Sequence, residues 1–167
     1  MSPVEYPYKP PDRTMYYVGP ENAYMVAAKE FARQHITVKH VGGALVVRDG
    51  KIIGYGSNGA GFHEVHGCAR EKMNVPTGTH YELCRGCSYE YHSEALAIRD
   101  AKEKHEETHG ADLYLWGHWW CCKECWRTMI EAGVKNVYLL EGSERLFNKN
   151  NPGNVIGRQF EGYNTNL

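Results

Sequence analysis

Apolar positions along this chain switch between two rhythms. From Pro20 to about Gln34 they recur at spacings of three and four, through Tyr24, Ala27, Ala28 and Phe31. That spacing lines one face of a helix, and Pro20 suits a first-turn position. Val41-Gly-Gly-Ala-Leu-Val-Val47 is instead a continuous apolar run that reads as a buried strand. Asp49-Gly50 is a strong two-residue turn signal, after which Lys51 to Tyr55 returns as a second strand. Residues 92–105 read as a helix with Ala95, Leu96, Ile98 and Ala101 on its apolar side, and residues 111–116 as a third strand. Cys122 to Ala132 reads as another helix, with Gly133 where a left-handed C-terminal cap belongs, and residues 134–140 as a fourth strand. Strand, helix, strand, helix, strand predicts an α/β fold whose crossovers set the last strands parallel.

Three stretches lack such a rhythm. Residues 1–19 are rich in proline and tyrosine and predict an arm packed on the domain surface or on a neighbouring subunit, with a lid over the site as the alternative. Residues 56–91 are rich in Gly, His and Cys, and a structureless loop of that length in a compact domain needs a reason. Chelation is one. After Glu141 an Asn-Pro-Gly break and a weak strand candidate around Val155 predict a segment that covers a sheet edge or ends as a tail.

Composition narrows the setting. The 167 residues suit one domain with a real core, and 42% apolar with 23% charged content is an ordinary globular profile. A formal net charge of −1 does not point to a nucleic-acid backbone as partner. No apolar run approaches the ~20 residues that span a bilayer, and the first residues lack a secretory pattern, so no membrane and a cytoplasmic location are expected. The six cysteines, in such a chain and so close to histidines, favour metal over disulfides.

Two short motifs carry the chemistry. His92-Ser93-Glu94 opens one expected helix and Cys122-Lys123-Glu124-Cys125 opens another. One His and two Cys one turn apart make three good zinc ligands, His92, Cys122 and Cys125, and leave a fourth tetrahedral position for water. Helix N-termini stabilise thiolates and a bound hydroxide. Glu94 is then placed to carry protons from that water to an amino-heterocycle and on to leaving ammonia. Cys121 precedes the first Cys of the motif and is a second candidate ligand, although spacing to Cys125 favours Cys122. In the long loop, Cys68, Cys84 and Cys87, with either His63 or His66, read as a second, closed zinc site of structural kind. Trp119 and Trp120, just before the second motif, are candidate stacking surfaces for a heterocycle. Arg70, Lys72, Arg85 and Lys123 are available cations for a phosphate, none of them singled out by spacing.

H-x-E followed by P-C-x-x-C is the signature of zinc nucleobase deaminases. From Val41 to Leu140 the chain resembles the cytidine deaminase-like superfamily, and within it the deoxycytidylate (dCMP) deaminase branch. Val41-Gly-Gly-Ala with its hairpin looks like that branch's first strands, and Gly56-Ser-Asn58-Gly-Ala-Gly61 looks like its sugar-contacting loop, which points to Asn58. Serine replaces the usual alanine in H-x-E, Cys121 stands where proline is usual, and the tail lacks the branch's clear last helix and strand. The resemblance implies a three-layer α/β/α fold with a central mixed sheet of about five strands. It also implies a homo-oligomer, a small-molecule nucleotide substrate, and conversion of dCMP to dUMP and ammonia. Another amino-heterocycle, namely a nucleoside, guanine, a modified base or single-stranded nucleic acid, is the alternative, and a non-catalytic zinc-stabilised binding module is the competing class. On this reading residues 1–19 are an arm, 20–141 the deaminase domain, and 142–167 an extension of it.

Overall fold

The computed structural model describes residues 4–76 and 79–161. A mixed sheet of five strands is ordered β1-β5-β4-β2-β3, from β1 (Met15–Val18), β2 (Gly43–Arg48), β3 (Lys51–Gly56), β4 (Asp112–Trp116) and β5 (Asn136–Leu140). β2 pairs antiparallel with β3 and with β4, whereas β4–β5 and β5–β1 are parallel. The β2–β3 hairpin turns at Asp49 and Gly50, both with positive φ (52° and 77°), the conformation of the turn that matches strand twist.

Both faces of the sheet are covered, which explains the unbroken apolar strands. Along β2, Ala44 and Val46 point into one core while Leu45 and Val47 point into the other. The first core is closed by α4 (Ser93–Glu103) and α5 (Lys123–Glu131) through Ala97, Ile98, Ala101, Trp126 and Met129. The second is closed by α1 (Ala23–Arg33) through Met25, Ala28 and Ala32, and by Leu146 and Phe147 of α6 (Ser143–Phe147). Helix α1 starts later than Pro20, because the Asn22 side chain accepts from the amides of Tyr24 and Met25 and so caps the first turn.

The long loop contains only short pieces: α2 (Phe62–His66), α3 (Ala69–Lys72) and three single 3₁₀ turns between Tyr81 and Tyr91. Three features depart from the expected pattern. β1 forms an edge strand inside the proline-rich arm, and α6 forms in the tail. Val155 is not in a strand; it is buried in the second core, its amide bonded to the Leu146 carbonyl. Residues 1–3, 77–78 and 162–167, the start of the arm and the end of the tail among them, lie outside the described residues. Among the described residues no helix is long and apolar enough to cross a membrane.

Candidate metal and active site

Helix α4 lies flush on β3 because two glycines leave room for it. A Cβ on Gly54 would come within 2.2 Å of the Ala97 carbonyl, and one on Gly56 within 2.2 Å of the Ser93 carbonyl. This close seat puts His92, the residue before α4, beside the start of α5. His92 Nδ1 lies 3.6 Å from Cys122 Sγ and 3.4 Å from Cys125 Sγ. A tetrahedral zinc with the usual Zn–S and Zn–N lengths would hold N and S donors about 3.6 Å apart, so the three side chains fit such an ion as they stand. The Cys122 thiol is pulled down to about 5, first by its hydrogen bond with Cys125 and further by His92, while Cys125 is pushed up. Two sulfurs this close, one buried and one half-buried, are both favoured as anions by a cation between them.

His92 is fixed from behind. Its Nε2 lies 3.2 Å from the Cys87 carbonyl oxygen, which can only accept, so Nε2 carries the proton and Nδ1 keeps its lone pair for a metal. Glu94, one residue into α4, is fully buried, and burial raises its carboxyl above the usual range. Its neighbour Cys121 is buried as well, and burial and the Glu94 charge push that thiol well up. Cys121 lies outside the donor group.

A second group gathers in the long loop: His63, Cys68, Cys84 and Cys87, with donor atoms all within 4.8 Å of one another. Cys84 and Cys87 Sγ lie 3.5 and 3.7 Å from His63 Nε2, and Cys68 Sγ lies 3.6 Å from Cys87 Sγ. Zinc with four such donors sets sulfurs about 3.8 Å apart, again close to what is found. Gly86 makes this possible, since a Cβ there would meet His63 Nε2 at 2.8 Å. The His63 ring donates from Nδ1 to the Asn58 carbonyl (2.6 Å), turning Nε2 toward the sulfurs. His66 lies outside the group, its ring 4.6 Å from that of Phe62. Although burial raises the Cys84 thiol, the Ala69 amide and His63 bring it down to about 6. Arg70 donates to Cys87 Sγ at 3.2 Å and to the carbonyls of Thr79 and Pro76, with Tyr81 under its guanidinium. Arg70 borders the cavity with its guanidinium already bonded to this sulfur and these two carbonyls.

Both groups border one cavity of about 760 Å³. Glu94, Asn58, Trp119, Trp120, His40 and His118 share its wall. The Asn58 side chain already accepts from the Gly42 amide (2.8 Å) and donates to the His40 carbonyl (2.9 Å), so it shapes the wall as well as lining it. From the arm, Pro7 reaches the cavity and Tyr6 stacks on Trp119 with ring centroids 6.4 Å apart. Sequence reasoning missed the pairing of His40 with His118, whose centroids are 4.5 Å apart. It also missed Lys39 and the Asn148–Asn150 turn on the rim. His118 stands in the run His118-Trp119-Trp120 before the second motif, where a base pocket is expected, but His40 flanks no motif, and the turn lies after α6 in the tail.

A layered α/β protein with a His and two Cys beside a buried glutamate is of the zinc-hydrolase kind. The family model for the cytidine and deoxycytidylate deaminase zinc-binding region matches residues 20–141, and the chain belongs to that family. It is similar to ComE operon protein 2 of Bacillus subtilis (strain 168), with 31% identity over 121 residues, 72% of this chain and 59% of that protein. The chain thus spans only about 59% of that relative's length. Among solved structures it is similar to dCMP deaminase from the cyanophage S-TIM5. The apo form is 27% identical, covering 70% of this chain and 79% of that one, with a TM-score of 0.45. The form in complex with dCMP and dUMP is 24% identical, covering 77% and 89%, with a TM-score of 0.48.

Proposed function

We propose that this chain is a zinc-dependent hydrolytic deaminase of a pyrimidine nucleotide, converting dCMP and water to dUMP and ammonia. The observation that carries this reading is Glu94: a buried carboxyl, raised by that burial, on the wall of a nucleotide-sized cavity beside a three-donor group. The family membership supports it. His92, Cys122 and Cys125 would hold the catalytic ion, which when bound supplies a Lewis acid that brings the pKa of water near neutrality.

The chain's own residues do the rest. Glu94 takes a proton from the attacking water and delivers it to the ring nitrogen beside the amino-bearing carbon. Glu94 then takes the remaining proton of the added hydroxyl and gives it to the amine, as the carbon–oxygen double bond of the product forms and the C–N bond breaks. A carboxyl lifted by burial suits both halves of that exchange, because its proton affinity lies nearer the working pH. Burial, with the Glu94 charge, pushes the adjacent Cys121 thiol well up, away from a competing negative charge. Trp119 and Trp120 offer flat faces for the base and Asn58 a polar edge for the sugar.

His63, Cys68, Cys84 and Cys87 are read as a structural zinc site, since four donors leave no open position. A cytoplasmic homo-oligomer is the setting that the family resemblance favours.

The test is ammonia release and loss of cytosine absorbance across free bases, nucleosides, and mono- and triphosphates. Turnover of dCMP is expected. No turnover of dCMP, dCTP, cytidine or deoxycytidine overturns the reading, and turnover of guanine alone transfers it to a purine substrate.

A further inference from the structure

The two donor groups are joined by two short bridges. Cys87 gives its sulfur to the loop group and its carbonyl oxygen to His92 Nε2 at 3.2 Å. Asn58 gives its carbonyl oxygen to His63 Nδ1 at 2.6 Å and its amide to Ser93 Oγ at 3.1 Å, next to His92. Each bridge thus spans from a loop donor to the residues that open α4.

Apart from the donors, the loop is tied by scattered side-chain contacts, Arg70 to the Thr79 and Pro76 carbonyls, Glu71 to the Lys39 amide and Glu64 to His35. Between Gly61 and His92 the described backbone makes only two helices of five and four residues and three single 3₁₀ turns. Helices this short do not persist on their own. The side chains buried in this stretch are chiefly the donors themselves and Arg70. The position of the Cys87 carbonyl therefore depends on how firmly its own sulfur is tied. A carbonyl or carboxylate behind a metal-binding histidine sets the ring's tautomer and angle, and its loss typically weakens metal binding 10–100-fold.

We propose that the loop group is a clamp for the catalytic group: a metal held by His63, Cys68, Cys84 and Cys87 fixes Cys87, and Cys87 as a positioning residue fixes His92 for its own metal. The two sites then bind metal with positive coupling. This rests on the two-site reading above. Linkage makes the coupling reciprocal, so a defect introduced at either site weakens the other by the same factor.

The test uses the full chain loaded with cobalt(II), whose sulfur charge-transfer bands separate a three-thiolate from a two-thiolate site. Stripped wild-type protein is titrated with cobalt, and chelator competition gives the affinity of each site in wild type, Cys68→Ser and Cys125→Ser. Cys68 donates to the loop group and has no contact with His92 in either bridge. Expected are a cooperative wild-type titration and catalytic-site affinity at least about 10-fold weaker in Cys68→Ser. Expected too is an equal weakening of the loop site in Cys125→Ser, which local unfolding alone would not match. A catalytic-site affinity indifferent to the loop site overturns the coupling, and the wild-type titration reads this even where a variant fails to fold. Saturation at one metal per chain with dCMP turnover intact overturns the clamp but leaves the deaminase reading standing.

Discussion

The two donor groups are built from the same residue types and the same histidine device, yet they differ in what surrounds them. In each, a backbone carbonyl takes one ring proton so that the other nitrogen faces sulfur: Asn58 for His63, Cys87 for His92. The loop group has four donors, three of them sulfurs, and a guanidinium against one sulfur. With a divalent ion and three thiolates it carries one negative charge, which Arg70 balances. The helix group has three donors, so with a divalent ion two thiolates would balance the charge, and its neighbours are a buried carboxyl and two half-buried histidines on a cavity wall. A closed, charge-balanced set suits holding a chain together. An open, neutral set beside a proton carrier suits chemistry.

That contrast can be broken in several places. The largest effect belongs to Glu94→Gln, which should lower deamination by ~10²–10⁴-fold while metal content stays at the wild-type level. Activity assays paired with metal analysis check it, and surviving activity would remove the distinction between the groups. Next comes Cys84→Ser, which takes one donor from the loop group and should lower stability by on the order of 4 kcal/mol. Cys122→Ser, whose helix retains its own apolar core, should unfold much closer to the wild type, so thermal melts in zinc compare the two directly.

A smaller effect is expected for Trp119→Ala. Losing a stacking face should raise KM in line with ~1–3 kcal/mol per base and leave kcat nearly unchanged. Arg70→Met should weaken metal retention by the loop group about 10-fold, read by chelator competition, because the anionic site loses its balancing charge.

The smallest effect concerns acid. Burial, with the charges of His40 and His92, holds the His118 imidazole well below 6.5. Its unfolded form binds the proton more readily than its folded form. The stability it contributes is therefore complete above about 6.5 and lost as pH falls through the depressed folded value. Melting temperatures from pH 7.5 to 5 should fall less steeply in His118→Gln than in wild type.

Much of the helix group was legible beforehand because its spacing is local. Cys122 and Cys125 are one turn apart on a helix whose apolar rhythm was plain, and His92 and Glu94 open another. The hairpin at Asp49-Gly50 was legible for the same reason, since the turn's positive φ values demand such residues. Other features carried no local signal. β1 is four residues long and exists by pairing with β5, far along the chain. α6 is five residues long, held by Phe147 packing edge-on to Trp116 with ring centroids 5.4 Å apart.

By itself, the sequence determined the order of strands and helices from Val41 to Leu140, the His-Cys-Cys set with its glutamate, and the presence of more sulfur donors in the loop. Periodicity and motif spacing act within one or two turns of chain, and these features live at that range. Only the tertiary structure chose His63 over His66, set Cys121 under Glu94, put Arg70 against Cys87 and joined the two groups through the Cys87 carbonyl. Those choices depend on which backbone carbonyl or sulfur arrives from a distant segment, a matter of how α4 seats on Gly54 and Gly56 and where that leaves room for the loop.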